Sequence, residues 1–421
     1  MASGDLNIGQ RLVWGEQYPF GISALNRRRH VYVIGQTGTG KSTLLTSFIS
    51  QDMAAGQGLC LIDPHGDLVN DVLDHVPPSR IDDVIVFDPT DPQHAVGWNP
   101  FYRVPEADRA LVASNMVAAF RHVWQDSWGP RLEYILFNAV AALLDAPDEC
   151  RATFLSVARF LVDREYRKKV LAHVTDPRVR SFFVDEFDRW PERQVVEALG
   201  PVQNKIGQVV AHPQVRAMLC QWRPSFDVDE VLAKRRILLL RLPKGEIGAD
   251  PANLTGSLLV AALLQASMRR APASRVPFHL FIDEFQNFTT DAFSSILSES
   301  RKYGLTLTIS HQYLDQLTPS VRSAVLGNVG SLIVFRVGAG DAEALADELG
   351  DITGQALRDL LRGEVVVRLT QEAEVSQAFR GTTSVHKTSV GTREKAVAQS
   401  RRVYGRQRIK VMARIAGWLK T

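Results

Sequence analysis

Short apolar runs, each followed directly by polar or turn-forming residues, recur along this chain of 421 residues. Runs of this kind are typical of strands that are buried on both faces of a parallel sheet. Between several of them, apolar residues return at helical spacing, as in residues 254–268 and 292–303. Strands that alternate with helices predict an α/β fold with a mainly parallel sheet. We assign strands to residues 31–34, 59–62, 84–87, 237–242, 278–284, 305–310, 331–335 and 365–369, with short edge strands in residues 8–22.

The pattern changes between residues 98 and 227, where apolar positions recur at helical spacing in residues 109–124, 131–144, 154–161 and 195–218, and no convincing strand is found. This segment is predicted to be an all-helical domain inserted into the α/β domain. Its apolar residues are mostly core; Trp124, Trp128, Trp190 and Trp222 could stack on bases, although packing is the better interpretation for most of them. The predicted organisation is residues 1–97 and 228–379 for the two parts of the α/β domain, 98–227 for the insert, and 380–421 for a C-terminal tail.

Charge is distributed unevenly, although composition is ordinary for a globular protein at 45% hydrophobic and 23% charged residues. The net charge is +3, but residues from Arg380 onward carry eleven Lys or Arg and one acid, Glu394. A basic tail on a mildly acidic body indicates an anionic partner, either nucleic acid or a lipid surface, or else a merely solubilising tail. Within residues 395–420, Val403, Ile409, Met412, Ile415 and Leu419 recur at roughly helical spacing, which fits a membrane-bound helix, DNA binding or a partner-docking helix.

The cysteines and the hydropathy of the chain indicate the cellular compartment in which the protein is expected. Cys60, Cys150 and Cys220 are far apart and have no metal-binding spacing, so they are expected to be buried thiols. No signal-peptide pattern opens the sequence, and no apolar run is long enough to cross a bilayer. We therefore expect a cytoplasmic protein, either free or peripheral at the inner membrane.

A glycine-rich loop follows the first buried strand and precedes a helix-forming run. Its sequence, GQTGTGKST from Gly35 to Thr43, matches the G-x-x-x-x-G-K-[ST] phosphate-loop pattern in its strand–loop–helix setting. Backbone N–H groups of such a loop cradle phosphates, Lys41 reaches the β- and γ-phosphates, and the Ser42 hydroxyl ligates Mg²⁺. The cofactors predicted are therefore ATP and Mg²⁺, and the binding residues are Gly35, Thr37, Gly38, Thr39, Gly40, Lys41, Ser42 and Thr43.

Two adjacent acids, Asp283 and Glu284, end another apolar strand. Downstream of a phosphate loop, such a pair predicts that Asp283 holds Mg²⁺ through water and that Glu284 is the general base for the attacking water. Asp63, at the end of the strand at 59–62, either helps to order Mg²⁺ or serves as a turn residue.

Three more polar residues are candidates because of their topology. Gln312 follows the next strand on the nucleotide edge and is placed to sense the γ-phosphate; His311 beside it either does the same or packs. Arg301 lies in the last turn before Gly304, at the opposite edge, so it can act only in trans on a neighbouring subunit, or else it simply complements the helix dipole. Arg336, at the nucleotide edge, is a weaker candidate for the same role.

Taken together, GQTGTGKSTLL, LIDPHGDL, LFIDEFQNF, SESRKYGLTLTISHQ and NVGSLIVFRVGAGDAEALA resemble the HerA/FtsK superfamily of ATPases, with the nearest likeness to TraG/TraD-type (VirD-like) coupling proteins of conjugation and type IV secretion. The resemblance covers about residues 20–350. It implies a RecA-like P-loop NTPase that forms a hexameric ring and uses ATP to move DNA through a central channel. It also implies that Lys41 and Ser42 bind nucleotide, that Asp283 and Glu284 form the Walker B pair, that Gln312 is the sensor and that Arg301 is the trans arginine.

Two departures from the family pattern affect the expected role. The N-terminal transmembrane helices of membrane-anchored coupling proteins have no counterpart here, and about thirty residues before the phosphate loop cannot form the β-barrel of HerA proteins. The resemblance implies DNA, relaxase or secretion-channel proteins as partners, with the strand form of the DNA undecided. The alternatives are an ATPase that powers protein export or pilus assembly, and a nucleotide-dependent switch with little turnover.

Overall fold

A computed structural model describes residues 5–290, 292–371, 374–384 and 389–420. The chain divides into two compact units, each assembled from three separate segments. The first unit comprises Met1–Val86, Val228–Leu242 and Leu263–Ser400, and the second comprises Phe87–Asp227, Pro243–Ala262 and Arg401–Thr421.

The strands of the described residues form one large sheet and two small ribbons. Eleven strands form the large sheet in the order β2-β1-β14-β11-β10-β3-β9-β8-β4-β7-β5, while β12 pairs with β13 and β15 with β6. Their bounds are β1 (Leu6–Val13), β2 (Glu16–Ile22), β3 (Val31–Ile34), β4 (Gly58–Asp63), β5 (Val84–Phe87), β6 (His94–Ala95), β7 (Ile237–Arg241), β8 (Phe278–Ile282), β9 (Leu305–His311), β10 (Ser331–Val334), β11 (Glu364–Arg368), β12 (Thr370–Gln371), β13 (Glu374–Val375), β14 (Phe379–Thr383) and β15 (Arg406–Gln407).

The parallel part of the sheet contains most of the strands that the apolar runs predicted, but the run at 365–369 forms β11, which is antiparallel to its neighbours. Neighbouring strands are parallel from β10 through β3, β9, β8 and β4 to β7. All residues of β3, β4, β8 and β9 are buried, as expected for strands covered on both faces. Because these strands are parallel, their carboxyl ends meet at one edge, which is where ligands bind in open α/β sheets.

An antiparallel extension completes the sheet beyond β10. There β11 pairs antiparallel with β10 and β14, and β1 pairs antiparallel with β14 and β2. The predicted start of the C-terminal tail at Arg380 is therefore wrong, because Phe379–Thr383 is a strand of this sheet. Its sequence, FRGTT, lacks the apolar run that marks a buried strand. Gly381 also approaches the Phe20 ring so closely that a Cβ there would lie 2.6 Å from a ring carbon.

Helices of the described residues cover the sheet or form the second unit. They are α1 (Ala24–Arg27), α2 (Lys41–Ala54), α3 (Asp67–Leu73), α4 (Glu106–Val123), α5 (Pro130–Leu144), α6 (Phe154–Val162), α7 (Arg164–Leu171), α8 (Pro177–Ser181), α9 (Glu192–Ala211), α10 (Pro213–Leu219), α11 (Val228–Ala233), α12 (Lys244–Ile247), α13 (Ala249–Arg269), α14 (Ala292–Glu299), α15 (Pro319–Asn328), α16 (Ala339–Leu349), α17 (Gly354–Arg358), α18 (Arg393–Tyr404) and α19 (Arg408–Leu419). None of the described helices is long and apolar enough to span a membrane.

A buried ion pair fixes the helix that follows the phosphate loop. The Arg27 guanidinium, at the end of α1, donates to both carboxylate oxygens of Asp52 on α2, and both side chains are only 1% exposed. The same guanidinium lies over the Phe281 ring of β8, 5.5 Å from the ring centroid, which is a cation–π distance. This ion pair therefore holds α2 against the sheet, and the buried apolar side chains of Phe48 and Met53 on α2 do the same.

Breaking this pair is expected to destabilise the first unit strongly. Asp52→Asn leaves the Arg27 charge buried without a counter-ion, which costs about 3–5 kcal/mol of unfolding free energy. Lys234→Gln removes a partner of the exposed Lys234–Glu230 pair and should cost about 0–1 kcal/mol. Denaturant unfolding of both variants checks this, and equal midpoints would contradict it.

The second unit is helical, as the insert was predicted to be. The predicted helices at 109–124, 131–144 and 154–161 correspond to α4, α5 and α6, whereas the run at 195–218 is two helices. The break falls at Pro213, which occupies the first turn of α10 and cannot continue α9. Most tryptophans in this unit pack as expected: Trp124 stacks on Phe120, Trp128 donates to Glu133, and Trp190 packs on Phe182.

Segments outside the predicted insert also belong to the helical unit. Pro243–Ala262 clusters with it, whereas the sequence pattern predicts these residues as part of the α/β domain. The boundary falls inside α13, where no change in composition marks it. The C-terminal residues join the unit as well: α19 buries Val411 and Ile415, and β15 pairs with β6. Ile409 and Leu419 remain exposed, so the apolar positions of the predicted amphipathic tail do not form a single buried face.

Candidate functional site

The glycine-rich loop connects β3 to α2 at the carboxyl edge of the parallel strands. Gly38 and Gly40 have φ angles of 78° and 122°, which favour glycine. The end of β10 supports the loop, since the Gln36 N–H donates to the Arg336 carbonyl at 2.9 Å. Within the loop, the Thr39 hydroxyl donates to the Gln36 carbonyl at 2.7 Å. The backbone turn that a phosphate loop needs is therefore set by its own sequence and by the neighbouring strand.

Lys41 lies inside the curve of this loop. Its ammonium donates to the carbonyls of Gly35 and Gln36 at 2.5 and 3.0 Å, and the residue is 8% exposed. Burial lowers the pKa of Lys41, while the charges of Asp283 and Glu284 oppose that shift. Ser42, at the first turn of α2, is exposed. A cation, an exposed hydroxyl and the N-terminal end of α2 thus lie at one place, which suits a phosphate chain.

Asp283 follows β8 and is buried beside the loop. Its carboxylate accepts a hydrogen bond from the Ser310 hydroxyl of β9 at 2.5 Å. Burial raises the pKa of Asp283, and the neighbouring Asp63 and Glu284 charges raise it further, against the Ser310 hydrogen bond and the Lys41 charge. Burial and neighbouring negative charges disfavour the ionised form of this carboxylate, and a nearby cation would stabilise that form.

Glu284 is held in an unusual backbone conformation. Its φ of 51° is left-handed, which is costly for a residue with a Cβ, and such strained residues are enriched at functional sites. Its two carboxylate oxygens each accept from an amide: Gln312 donates to Oε1 at 2.5 Å, and Gln286 donates to Oε2 at 2.7 Å. The Thr37 hydroxyl in turn donates to the amide oxygen of Gln312 at 3.0 Å. One chain of hydrogen bonds therefore connects the phosphate loop, Gln312 and Glu284.

Two of these participants were not predicted. Gln286 comes two residues after Glu284, and nothing in its spacing distinguishes it from a solvated turn residue. Ser310 occupies an ordinary strand position, and only the parallel pairing of β8 with β9 places it against Asp283. The Ser310 contact depends on how strands are ordered in the sheet, which the sequence pattern does not specify, whereas the Gln286 contact is local.

Asp63 and His311 have structural contacts. The Asp63 carboxylate accepts the backbone N–H groups of His65 and Val69 at 2.8 and 3.0 Å, which is the turn role. His311 is buried and stacks on Tyr32, and burial lowers its pKa to about 3, so the ring is neutral. Of the alternatives for His311, packing is the one that these contacts support.

Arg301 lies at the other edge of the sheet. It is exposed in a 3₁₀ turn, Ser300–Tyr303, that leads into the amino end of β9, whereas Gln312 follows the carboxyl end. A seven-residue strand spans about 20 Å, so Arg301 does not belong to its own nucleotide site. Arg336 is exposed and follows β10 at the nucleotide edge.

The site has the chemistry of a Mg²⁺–nucleotide site, not of a metal cage. No cluster of three or more His, Cys, Asp or Glu suited to a metal occurs among the described residues. Mg²⁺ is ordinarily bound by one or two carboxylates together with phosphate oxygens and water. The exposed Ser42 hydroxyl and the Asp283 carboxylate fit that arrangement.

Two family models match the chain. The model described as the type IV secretion-system coupling protein DNA-binding domain matches residues 20–198, and the model described as the TraM recognition site of TraD and TraG matches residues 277–360. The second match contains Asp283, Glu284 and Gln312. The chain belongs to the TraG/TraD-type coupling-protein family. The resemblance noted in the motifs is thereby confirmed.

Solved structures agree with the coupling-protein fold. The bacterial conjugative coupling protein TrwBdeltaN70 is 15% identical, with a TM-score of 0.65 over 91% of this chain and 90% of that one. The plasmid coupling protein TrwB in complex with ADP and Mg²⁺ is 16% identical, with a TM-score of 0.65 over 91% and 92%. VirB4 of Thermoanaerobacter pseudethanolicus is 14% identical, with a TM-score of 0.61 over 92% and 98%.

At these identities the likeness shows the fold, a RecA-like P-loop NTPase fold with a mainly parallel sheet and a helical domain. No curated protein sequence matches the chain.

Proposed function

We propose that this coupling protein is an ATP-hydrolysing motor that moves DNA. The observation that carries the proposal is the hydrogen-bonded chain from Thr37 through Gln312 to Glu284. It connects the loop that would hold the phosphates to the carboxylate that would activate water. A protein that only bound nucleotide would not need that carboxylate. Family membership supports DNA as the molecule that is moved, since the matching model describes a coupling-protein DNA-binding domain.

Each residue has a role that its position supports. Backbone N–H groups from Gly35 to Thr43 surround the phosphates, and Lys41 exchanges its carbonyl partners for β- and γ-phosphate oxygens. Mg²⁺, when bound, neutralises phosphate charge, with Ser42 and Asp283 placed to hold it. Glu284 accepts the proton of the attacking water. Gln312 separates from Thr37 or Glu284 when the γ-phosphate leaves, and so reports hydrolysis.

The active assembly we propose is a homo-hexameric ring in which Arg301 completes the nucleotide site of a neighbouring subunit. The position of Arg301 at the far edge of the sheet supports this, because it cannot serve its own site. Relaxase-bound DNA and secretion-channel proteins are the proposed partners, at the cytoplasmic side of the inner membrane. Family membership supports these partners.

The test is the steady-state ATPase rate of the full chain with and without single- and double-stranded DNA, at low and moderate salt. We expect DNA to raise the rate, with a stimulation that falls steeply as salt rises. Lys41→Ala should lower the rate by about 10²–10³, as expected for the removal of an electrostatic stabiliser. Lys234→Gln, which removes an exposed lysine elsewhere, is the matched control.

The outcomes separate the candidate functions. If DNA does not change the ATPase rate but Lys41→Ala abolishes it, the protein is still an ATP-driven motor, but DNA is not the molecule that it moves. Protein export or pilus assembly would then be the function. A rate unaffected by Lys41→Ala would overturn the proposed site itself.

A further inference from the structure

A large cavity lies within the helical unit, away from the residues used so far. Its volume is about 820 Å³, and α19 forms one wall with Arg414 and Trp418. The residues just after α10 form another wall with Trp222 and Arg223, and Arg406 of β15 also lines it. We refer to this cavity, which Arg151 lines as well, as the arginine–tryptophan cavity. Every residue that lines it belongs to the helical unit.

Positive charge in this cavity has no acidic counterpart. No Asp or Glu is among its lining residues. Arg151, Arg223 and Arg414 are exposed, and none of them has a carboxylate within salt-bridge distance in the described part of the chain. Two other arginines of this unit, Arg159 and Arg167, both have Asp partners. The cavity therefore gathers cations that an anion from outside would have to neutralise.

Arg406 shows that these charges are close enough to affect one another. Its guanidinium donates to the Gln221 side chain at 2.8 Å and to the carbonyls of Arg223 and Pro224 at 2.6 and 3.1 Å, all of which are neutral acceptors. Burial lowers the pKa of Arg406, and the charges of Arg414 and Arg223 lower it further. Arg406 is thus held by neutral acceptors, close to the guanidinium groups of Arg223 and Arg414.

An aromatic ring positions two of the arginines. The guanidinium carbons of Arg151 and Arg223 lie 5.6 and 4.6 Å from the Trp222 ring centroid. Helix α19, which carries Arg414, is anchored in turn by Val411 and Ile415, which are 4% and 7% exposed. Planar guanidinium groups held by aromatic rings are well suited to phosphate oxygens.

We propose that the arginine–tryptophan cavity binds the phosphate of a nucleotide, with Arg223, Arg406 and Arg414 as the contacting groups. Its volume falls in the range of small-ligand sites, about 300–1,000 Å³. The same chemistry is offered by a free nucleotide and by a nucleotide within a single strand. The site is independent of the proposed motor, because none of its residues belongs to the phosphate loop or the acid pair.

The experiment uses the full chain carrying Lys41→Ala, so that the phosphate loop does not compete. Thymidine 5′-monophosphate and a short oligothymidine strand are titrated separately by calorimetry, with tryptophan fluorescence as a second signal. Arg223→Ala together with Arg414→Ala is the test variant; both side chains are exposed, so folding should be retained. Lys410→Ala is the matched control, because it removes an exposed cation of α19 that does not line the cavity.

We expect saturable binding of at least one probe, weakened by about tenfold for each arginine removed and unchanged by Lys410→Ala. Binding of the monophosphate indicates a free nucleotide as the ligand; binding of the strand alone indicates nucleic acid. In that second case the dependence of log K on log salt should become shallower by about 0.7 for each phosphate that an arginine no longer neutralises. Equal affinities for the test variant and the Lys410→Ala control, or no saturable binding of either probe, would overturn the proposal.

Discussion

Glu284→Gln should produce a protein that binds ATP and scarcely hydrolyses it. The substitution keeps the length of the side chain but removes its ability to accept a proton, which is worth about 10²–10⁴ in rate for a general base. The left-handed backbone at Glu284 and its two amide neighbours, Gln286 and Gln312, place the carboxylate where that proton would be transferred. Binding itself depends on the phosphate loop, so affinity for ATP should be nearly unchanged.

Single-turnover hydrolysis and the binding of a fluorescent ATP analogue measure the two quantities separately. Glu343→Gln, an exposed residue of α16, is the matched control and should behave as the unmodified protein. If Glu284→Gln hydrolysed ATP at the normal rate, the carboxylate would have no role in proton transfer. The protein would then fit a nucleotide-dependent switch better than a motor.

Arg301→Ala is expected to lower the ATPase rate by about 10³–10⁵, the usual contribution of an arginine finger. The effect should come with unchanged ATP affinity, because Arg301 lies about one strand length from the phosphate loop of its own subunit. Lys302→Ala removes the adjacent exposed cation and is the matched control. A helix-dipole role for Arg301 would cost stability by less than about 1 kcal/mol and would leave the rate intact.

Mixing variants distinguishes an arginine that acts in trans from one that acts in its own subunit. An Arg301→Ala subunit has an intact phosphate loop, and a Lys41→Ala subunit has an intact Arg301. Mixed assemblies should therefore regain part of the activity that either variant lacks alone. Arg336→Ala is tested in the same way, since Arg336 lies on the nucleotide edge. If neither arginine variant is complemented, the trans arginine is neither of them.

The sequence predicted the chemistry of the site better than its surroundings. Lys41, Asp283 and Glu284 could be placed together because each follows an apolar run, and the carboxyl ends of parallel strands meet at one edge. By contrast, Ser310 reaches Asp283 only because β8 and β9 are neighbours, and strand order is not encoded in periodicity. The roles of all these residues in catalysis stay predictions until the variants are measured.

Elements that lack an apolar signature were the ones that the sequence did not predict. β14 has the sequence FRGTT and joins the sheet through backbone hydrogen bonds and the space left by Gly381. Similarly, α19 buries only Val411 and Ile415. Two apolar positions in the sequence are too few to show whether such a helix packs on its own protein or on a membrane. Three-dimensional neighbours decide both cases, and they come from distant parts of the chain.

The pairing of β1 with β14 has a consequence for how the protein is made. Gln10 pairs with Thr382, so the β1–β2 hairpin leaves the ribosome long before its partner strand exists. At about 5–20 residues per second, the delay is of the order of 20–75 s. An unpaired strand edge invites aggregation, and charge on the edge opposes it. Arg11 supplies such a charge during synthesis, and in the finished sheet its guanidinium lies 5.0 Å from the Phe379 ring of the late-arriving strand.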